Sequence, residues 1–545
     1  MAIAPNTLRP GELPEFPFKG PWGGVISDQP AHVIEQFGGF TQAQNVMFRK
    51  GQAVVRPTLS SLPAIPSPSS SISLREPVLG VGDFFDANGD RHQMVMTPTR
   101  LLEWISGGWT NVPSASSVLP GLTGGVNDHF TWTVVGEKFC FCQGADPVQL
   151  WDGITSTFGA ASADAVPARY LMELIGYLIA MNTVEAGGVA PQRVRWTAPG
   201  DPTTWTGLTA GQTDLFNAFG PINNGFKLYQ SAFILQQFGF TMVQPTGNGL
   251  APFSFVPLVA TRGRGLAIPL SAASDGESLI AYVGKDNVYV FDGTQSTPIG
   301  DQSISNYTMA GSRVRIGARY AIFADLLAAD ITQVLGFVST SIGGNPYNAY
   351  WLFIPNVGTW VYNFDEQNWT KFSWSDVQPC ACGSFFEQTV IRIMDLIGPI
   401  SAQTWTPATL IGTNPYDAMF IAFRTNGPAA INFAGTCEQS WSLSGQWQMG
   451  DFRHDKTLSK IRLVAVDSGA TSFSISISNN RGQSIPPINV SFGSGSGVSV
   501  ELIIPVPGKL NGMFFTWQIA GAAGEPLAMS EFTPIYDIGG EYRGV

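Results

Sequence analysis

The residues best suited to metal or acid–base catalysis are few and far apart in this chain. Its histidines are His32, His92, His129 and His454, and none has the His-x3-His or His-Glu-x-x-His spacing that binds zinc from one helix. The chain also lacks a Gly-x-Ser-x-Gly nucleophile motif and a phosphate-binding Walker loop. The sequence therefore gives no support for zinc hydrolysis, serine hydrolysis or nucleotide chemistry.

Paired carboxylates are the remaining catalytic possibility, because glycoside hydrolysis needs two of them at a fixed separation. Asp83, Asp86, Asp286 and Asp292 are candidates, but each lies in or beside a predicted turn, where Asp caps backbone N–H groups. The chain also lacks a clean Ser-x-Asp-x-Gly-x-Thr-Trp box of the sialidase type. We therefore expect that the protein is not an enzyme.

The cysteines suggest neither a disulfide framework nor a cofactor. There are five of them, an odd number at low density: Cys140, Cys142, Cys380, Cys382 and Cys437. The two Cys-x-Cys pairs are a weak match to a four-thiolate zinc site, which prefers Cys-x2-4-Cys spacing. Residues i and i+2 of a strand share a face, so these thiols are expected to pack as small apolar side chains. We expect no metal and no cofactor.

A short sequence pattern recurs along the chain: a β-type run followed by an aromatic residue, Asp and Gly. The strands and turns that it predicts must position any functional site. The pattern reads Trp151-Asp152-Gly153 in one place and Phe291-Asp292-Gly293 in another, with looser copies at 101–109 and 360–369. Each copy predicts a hairpin with a tight polar turn. Repeated hairpins of this kind favour small sheets arranged radially, a β-propeller of about six or seven blades.

Composition agrees with an all-β protein whose surface is partly covered. The 61 Gly and 38 Pro residues suit many short strands and tight turns, whereas charged residues make up only 13% and aromatic residues 12%. Little charge and many aromatics suggest that partner subunits cover part of the surface. A large β protein with a Ser/Thr/Asn/Gln surface is the alternative. The net charge of −11 is unlike that of proteins that grip nucleic acid through phosphates, although a negative wall can serve as a DNA conduit.

Three regions differ in character along the chain. Residues 1–75, rich in Pro and Gly, are predicted to be an extended arm and linker that must dock elsewhere. Residues 76–435 carry the hairpins of the propeller, with a short helical insertion near 324–335. Residues 436–545 alternate strands with Gly/Ser/Asn turns and predict a β-sandwich. The N-terminus has no secretory signal pattern, and no apolar run is long enough for a membrane-spanning helix.

Three segments together resemble the tail hub or nozzle proteins of short-tailed bacteriophages, also called tail accessory or stabilisation proteins. The first is the arm motif Asn45-Val46, Gly51 and Arg56-Pro57. The second is residues 192–205, which include Arg193-Val194-Arg195-Trp196 and Asp201-Pro202 followed by Trp205. The third is residues 287–293 with Pro298-Ile299-Gly300-Asp301. The likeness spans residues 35–375 and does not reach the C-terminal region.

The resemblance implies a structural role in the virion, in a particle assembled in the host cytoplasm. Such proteins form a ring, here expected to be a homohexamer, below the portal and its adaptor protein. They extend the channel for double-stranded DNA, help to retain the genome until DNA ejection, and carry tail fibres or spikes. DNA would pass an electronegative lumen without sequence-specific binding, and the lumen residues are unknown at this stage.

The physical interpretation of residues 192–205 is structural. Asp201 and Pro202 are predicted to start a turn, since Asp caps N–H groups and Pro fixes φ. Trp196 and Trp205 are predicted to clamp that turn and fill a gap between blades. Arg193 and Arg195 lie on the other face from Val194, where they are expected to pair with acids.

Two further function classes remain open from the residues alone. One is a carbohydrate-binding propeller that acts in host receptor recognition, which exposed Trp rings in a pocket would favour. The other is a secreted propeller hydrolase, against which the absent signal pattern and odd cysteine count argue. Under the tail hub interpretation, deletion of residues 1–60 is expected to impair assembly and leave the propeller folded.

Overall fold

A computed structural model describes residues 13–541, apart from 63, 66–75, 106, 116–120, 208, 310–311, 343–344, 377, 386–417, 425–426, 450–453, 468–470, 493–494 and 496. The polar stretch expected as a linker within the arm, residues 67–73, therefore lies outside the described residues. The described chain is mostly β-strand, which confirms the all-β fold class.

Short strands and a helix occupy the first part of the chain. They are β1 (Gly24–Val25), α1 (Ala31–Gln36), β2 (Gly39–Phe40), β3 (Gln42–Gln44), β4 (Val46–Arg49), β5 (Gln52–Val55) and β6 (Pro57–Ser61).

Five four-stranded antiparallel sheets follow in chain order, and we name them sheets A to E. Sheet A contains β7 (Gly80–Phe85), β8 (Arg91–Met96), β9 (Leu101–Ile105) and β10 (Gly108–Val112). Sheet B contains β11 (Thr131–Val135), β12 (Lys138–Cys142), β13 (Gln149–Trp151) and β14 (Gly159–Ala160). Sheet C contains β15 (Ala168–Leu174), β16 (Tyr177–Glu185), β17 (Gly188–Trp196) and β18 (Gly211–Asp214). Sheet D contains β19 (Ile222–Leu228), β20 (Ser231–Gln236), β21 (Gly239–Pro245) and β22 (Phe253–Leu258). Sheet E contains β23 (Ala273–Ser274), β24 (Ile280–Val283), β25 (Val288–Phe291) and β26 (Ser296–Pro298).

Two further groups of strands continue the series after a hairpin and a helix. The hairpin is β27 (Asp301–Met309) with β28 (Ser312–Gly317), and the helix is α2 (Arg319–Leu327). Sheet F contains β29 (Leu335–Ile342), β30 (Asn345–Ile354), β31 (Gly358–Asn363) and β32 (Asn368–Phe372). Sheet G contains β33 (Pro379–Phe385), β34 (Ala418–Phe423), β35 (Gly427–Thr436) and, as its fourth strand, β6 from the N-terminal region.

The helix near 324–335 differs in position from the prediction. It begins at Arg319 and ends at Leu327, so it starts five residues before the predicted insertion. Ile322 and Leu326 are four residues apart and provide its buried face. Asp330 then caps a 3-10 turn at Ile331–Gln333, and β29 begins soon after it.

Neighbouring sheets pack face to face because both faces of their middle strands are apolar. On β12, Phe139 and Phe141 pack toward sheet A, whereas Cys140 and Cys142 pack toward sheet C. The same alternation occurs on the middle strands of sheets C and D. A strand covered on both sides reads as a nearly continuous apolar run, which explains the high content of apolar residues.

The first strands of these sheets lie side by side around a common centre. The contacts follow the chain order from β7 to β11, β15 and β19, and from β23 to β29 and β33. The 3-10 turn Pro269–Ser271 contacts β19, β24 and β29. The series returns on itself because β33 contacts β7, and Gln93 of sheet A donates a hydrogen bond to the Ser384 carbonyl of sheet G (3.3 Å). This arrangement is a β-propeller-like fold.

The last strands combine with the N-terminal region. They are β36 (Trp441–Trp447), β37 (His454–Val466), β38 (Thr471–Asn479), β39 (Ile488–Phe492), β40 (Ser499–Gly512), β41 (Phe515–Gly521) and β42 (Ala528–Glu541). One sheet runs β32-β3-β36-β41-β38-β39 and continues sheet F, whereas the other runs β4-β5-β42-β37-β40. Their facing apolar side chains, Trp447, Trp517 and Phe532 among them, share one core.

Candidate functional site

A cavity of about 600 Å³ lies where the first strands of all seven sheets meet, and we call it the axial cavity. Its wall includes residues of β7, β11, β15, β19, β23, β29 and β33. Backbone and small or apolar side chains provide much of this wall. The polar side chains that interrupt it define what the cavity can bind.

Glu173 and Lys227 form an ion pair on the cavity wall. The Glu173 Oε2 atom accepts a hydrogen bond from Lys227 Nζ at 2.6 Å, and its Oε1 atom accepts one from the Gly176 backbone at 2.7 Å. This pair joins sheet C to sheet D. Because both carboxylate oxygens are occupied, the lysine protons beyond the ion pair are the donors that a ligand would meet.

His129 lies two residues before β11 and also lines the cavity. Burial and the charge of Arg424 lower the pKa of its imidazole to about 4, so the ring is neutral near pH 7. Its Nε2 atom is buried and has no hydrogen-bond partner in the described part of the chain. A neutral imidazole has one donor and one acceptor nitrogen, and here the buried Nε2 atom is not exposed to a ligand in the cavity.

Asp275 is the second carboxylate on the cavity wall, and it is committed to its own turn. It accepts hydrogen bonds from the backbone N–H groups of Glu277, Ser278 and Leu279 at 2.8–3.0 Å. Burial raises the pKa of Asp275, but these bonds and the Ser278 hydroxyl outweigh it, so the net shift is downward. Asp275 is therefore ionised near pH 7 and serves as an acceptor.

Sequence reasoning did not select the polar residues of the axial cavity. Glu173 had a detectable signal, because it is a charge within the otherwise apolar run 171–181. Lys227 had a similar one beside Phe226 and Leu228. Their pairing across two sheets has no signal in the sequence, since they are 54 residues apart.

The arm motif forms a buried joint that we call the Arg56 joint. Arg56 is 1% exposed and donates hydrogen bonds to both Glu438 oxygens (2.7 and 3.2 Å) and to the Ser373 carbonyl (2.8 Å). Its guanidinium also stacks over the Trp374 ring, 4.3 Å from the centroid. The joint therefore ties the N-terminal strands, the end of sheet F and the C-terminal strands together.

Asn45 and Pro57 complete this joint. Asn45 is fully buried with φ of 57°, a conformation that Asn tolerates better than most residues. Its Oδ1 atom accepts from Arg56 Nε (3.1 Å), and its Nδ2 group donates to the Ser440 carbonyl (2.7 Å). Pro57 starts β6, and its carbonyl accepts another Arg56 hydrogen bond at 2.9 Å.

The two arginines of the second segment pair with acids, as their alternation on β17 predicted. Arg193 makes a bidentate ion pair with Asp214 (2.7 and 2.8 Å), and Arg195 donates a hydrogen bond to Glu185 at 3.3 Å. All four side chains are partly buried on the surface of sheet C. Their role is to hold the outer strands of this sheet together.

The turn of the second segment joins sheet C to its neighbours. Asp201 accepts from the Thr203 backbone (3.0 Å) and the Thr204 hydroxyl (2.6 Å), and these hydrogen bonds lower its pKa. Pro202 is buried beside it. Trp205 packs between sheets B and C, whereas Trp196 packs between sheets C and D, so the two rings fill different gaps.

The aromatic-Asp-Gly turns have the geometry that the sequence predicted. Trp151 is buried, and Asp152 caps the turn by accepting from the Thr155 backbone at 2.8 Å. Gly153 has φ of 77° and lies against the His92 ring of sheet A.

The second aromatic-Asp-Gly turn is built in the same way. Phe291 is buried between sheets D and E, and Asp292 accepts from the Thr294 and Gln295 backbones at 2.8 Å. Gly293 supplies φ of 92°.

Asp301 lies at the start of β27 and anchors the helix-bearing insertion. It is buried, accepts from Asn287 Nδ2 at 2.6 Å, and lies near Arg315 (3.1 Å) and Arg319 (3.8 Å). The residues selected from the sequence therefore occupy several separate joints of the fold. They do not converge on the axial cavity.

Three general properties of the described residues complete the description. Cys140, Cys142 and Cys380 are buried free thiols whose pKa values burial raises to about 12. No three His, Cys, Asp or Glu side chains of the described ranges come together as metal ligands. In the same part of the chain, no helix is long and apolar enough to cross a membrane.

Comparison with known proteins gives structural likenesses only. No family model matches the chain, and no curated protein sequence matches it. Among solved structures, the extracellular domain of a putative one-component system from B. thetaiotaomicron is 11% identical with a TM-score of 0.40. That match covers 86% of this chain and 62% of the sensor domain, so the chain spans less than two thirds of its length.

Two of the other similar structures are glycoside hydrolases. The exo-β-1,3-galactanase of Phanerochaete chrysosporium is 11% identical over 74% of this chain and 95% of its own, with a TM-score of 0.23. The family 43 arabinoxylan arabinofuranohydrolase of Bacillus subtilis is 11% identical over 91% of this chain and 95% of its own, with a TM-score of 0.22.

These likenesses correct one expectation. The sequence led us to expect that the protein is not an enzyme, and the presence of glycoside hydrolases among similar structures contradicts that exclusion. The exclusion failed because it depended on missing sequence motifs, whereas propellers assemble carboxylates from distant strands. The likeness is one of fold and assigns no reaction to this chain.

Proposed function

We propose that this protein is a structural virion component, the tail hub or nozzle of a short-tailed bacteriophage. In this role it extends the DNA channel below the portal and its adaptor protein, retains the genome, and carries fibres or spikes. The observation that carries the proposal is the placement of the three resembling segments. Each forms a joint between different parts of the fold, and the Arg56 joint connects residues 382 positions apart.

The finer architecture belongs to the same proposal. We infer that sheets A to G are seven blades of one propeller, because their first strands follow one another around the axial cavity and β33 contacts β7. The N-terminal strand β6 closes the last blade, an arrangement that removes a free sheet edge. The two C-terminal sheets with their shared core form a β-sandwich.

The assembled form would be a ring of six copies, with DNA passing through the ring centre. The axial cavity of each copy, about 600 Å³, is far too small for a duplex. The net charge of −11 suits a channel wall that does not retain phosphates. In this proposal the sides of each copy contact neighbours, and the ends contact the adaptor above and the tail tip below.

The test is mass photometry with negative-stain imaging of the purified full chain, alone and with virion extracts. A sixfold ring with a hole wide enough for duplex DNA, or incorporation into virion complexes, is the expected result. A chain that remains monomeric in both conditions and joins no virion complex would contradict the proposal.

Carbohydrate binding in host receptor recognition is a second candidate, and the axial cavity favours it. Its volume is in the range of small-molecule sites, and its wall carries the Lys227 ammonium and the neutral His129 ring. A glycan array probed with the full chain tests this role. Binding that His129→Phe abolishes would support it, and an array without signal would contradict it.

A further inference from the structure

One end of the propeller-like region has an unusual combination of exposed apolar side chains and negative charge. In sheets A to E, the turns that join first to second and third to fourth strands all lie at the same end. Contacts between neighbouring sheets establish this. Gly153 of sheet B lies against His92 of sheet A, and a Cβ atom on Gly136 of sheet B would lie 2.7 Å from the Gly200 carbonyl oxygen of sheet C. Lys227 of sheet D bonds to Glu173 of sheet C, and the Tyr229 backbone N–H of sheet D donates to the Glu277 carbonyl of sheet E. We call this end the turn face. Its described turn residues are 86–90, 107, 136–137, 152–158, 175–176, 197–207, 209–210, 229–230, 246–252, 275–279 and 292–295.

The turn face carries large apolar side chains that the fold does not bury. Ile175 is 52% exposed and Tyr229 is 69% exposed, and both lie at hairpin tips next to the cavity mouth. Ile154 and Leu250 are exposed on further turns of the same face. The Glu173–Lys227 ion pair holds the Ile175 and Tyr229 hairpins together, so these two apolar tips are neighbours.

The two apolar tips, Ile175 and Tyr229, also have a backbone conformation that their side chains disfavour. Ile175 has φ of 45° and Tyr229 has φ of 53°, in the left-handed region where Gly or Asn is favoured. A β-branched residue there is strained, and the strain brings no burial to the isolated chain. A covering partner accounts for apolar side chains at positions where the backbone disfavours them.

Charge indicates the chemistry of that partner. The ten turns contain eight Asp or Glu residues and no Lys or Arg. The nine connections at the opposite end of sheets A to E contain four Asp residues, balanced by Arg100, Arg262, Arg264 and Lys285. Hydrogen bonds from turn N–H and hydroxyl groups lower the pKa of Asp201, and they outweigh burial to lower those of Asp152, Asp275 and Asp292. The negative charge of this face therefore persists near pH 7.

We propose that the turn face is a docking surface for a protein partner that presents apolar residues surrounded by Lys and Arg. The apolar tips form the centre of the contact, and the carboxylates around them select a basic partner and reject acidic ones. This inference goes beyond the tail hub proposal, since it holds for any role in which the chain docks end-on.

The experiment measures binding of a fluorescent, amphipathic Leu/Lys peptide to the full chain by anisotropy. One variant replaces the apolar tips with a residue that suits the left-handed conformation, Ile175→Asn with Tyr229→Asn. A second neutralises exposed charge, Glu137→Gln with Glu277→Gln. The matched control changes exposed apolar residues of the opposite end, Phe216→Ser with Val259→Ser, which are 87% and 78% exposed.

The proposal predicts that the tip variant weakens peptide binding about tenfold. The charge variant should weaken binding at low salt and reduce its salt dependence, while the control changes binding less than about twofold. Equal loss in the control, or no loss in either turn-face variant, would overturn the proposal. Sedimentation velocity distinguishes a different protein from a second copy of this chain as the occupant. Self-association of the wild type that the tip variant abolishes would assign the face to a second copy and would also overturn the proposal.

Discussion

At the scale of single residues, Arg56 connects three distant parts of the chain. Its five N–H donors are shared among Glu438, Ser373, Asn45 and Pro57, and its flat face covers Trp374. Burial of a guanidinium is costly unless its donors are satisfied, and here hydrogen bonds from three parts of the chain satisfy them. The residue therefore specifies how these parts fit together.

Replacement of Arg56 by Met should strongly destabilise the protein. The apolar side chain fills the space but leaves the Glu438 carboxylate without its partner, at a cost of about 3 kcal/mol. Urea unfolding at neutral pH measures this free energy. The control is Arg481→Met, which removes a more exposed pair with Asp455 and should cost less than about 1 kcal/mol. Equal losses for both variants would contradict the importance of the Arg56 joint.

His92 is the residue that makes stability depend on pH near neutrality. Burial lowers its pKa, but the hydrogen bond from Nδ1 to Glu103 (2.5 Å) and the charges of Glu103 and Asp86 outweigh burial, so the net shift is upward. The folded state therefore binds this proton more tightly than the unfolded state. That stabilisation is complete below the unfolded pKa of about 6.5 and is lost as pH rises through the folded value.

The His92→Gln variant tests this linkage. At about pH 6 the variant should be less stable than the wild type by roughly 1.5 kcal/mol, and the difference should shrink by about pH 8.5. Chemical unfolding at both pH values provides the measurement. His129→Gln is the control, because burial lowers the pKa of His129 to about 4 and its ring is neutral at both pH values, so its stability difference should show no such narrowing. A difference that grows with pH would reverse the assigned sign.

At the scale of elements, the junction between sheets A and B depends on a close backbone approach. A Cβ atom on Gly153 would lie 2.7 Å from His92 Nε2 and 2.9 Å from Asp86 Cβ. Gly107 has a similar positive φ but no heavy atom within 4 Å of such a Cβ. The two glycines therefore differ in the contact and share the backbone conformation.

The pair Gly153→Ala and Gly107→Ala separates these effects. Both substitutions should cost about 1 kcal/mol for the left-handed backbone, and Gly153→Ala should cost about 1–3 kcal/mol more for the clash. Thermal unfolding compares them directly. Equal melting temperatures would mean that the junction between sheets A and B accommodates the added Cβ atom without losing stability.

The N-terminal strands are integral to the sheets, which changes the expected effect of deleting them. From the sequence, removal of residues 1–60 was expected to leave the propeller folded. In the structure β6 is the fourth strand of sheet G, and β3 bridges β32 and β36. Removal of these strands would expose three sheet edges and take away Arg56.

Deletion of residues 1–61 should therefore lower the melting temperature by more than about 10 °C. Scanning calorimetry of the full chain and the deletion variant provides the measurement. Deletion of residues 1–12 is the control, because it leaves β1 to β6 in place, and it should not shift the transition. A deletion of 1–61 that melts like the full chain would restore the original expectation.

At the scale of the whole molecule, local patterns predicted the hairpins and missed the long-range pairings. Trp151-Asp152-Gly153 and Phe291-Asp292-Gly293 were predictable because strand, turn and return lie within a few residues of each other. The Arg56–Glu438 pair and the entry of β6 into sheet G join residues hundreds of positions apart, for which alternating apolar runs carry no pairing signal. The axial cavity was missed for the same reason, since each sheet contributes only a few residues to it.

The charge distribution of the whole molecule leads to a last prediction about DNA. A protein that binds duplex DNA through phosphates shows strong affinity at low salt that falls steeply as salt rises. This chain has a net charge of −11, and the turns of the turn face contain no Lys or Arg. Anisotropy of a labelled duplex should therefore show no binding to the full chain even at low salt, as a conduit for DNA requires. Salt-sensitive binding would mean that the arginines of the opposite end form a phosphate-binding surface, and the conduit role would then be untenable.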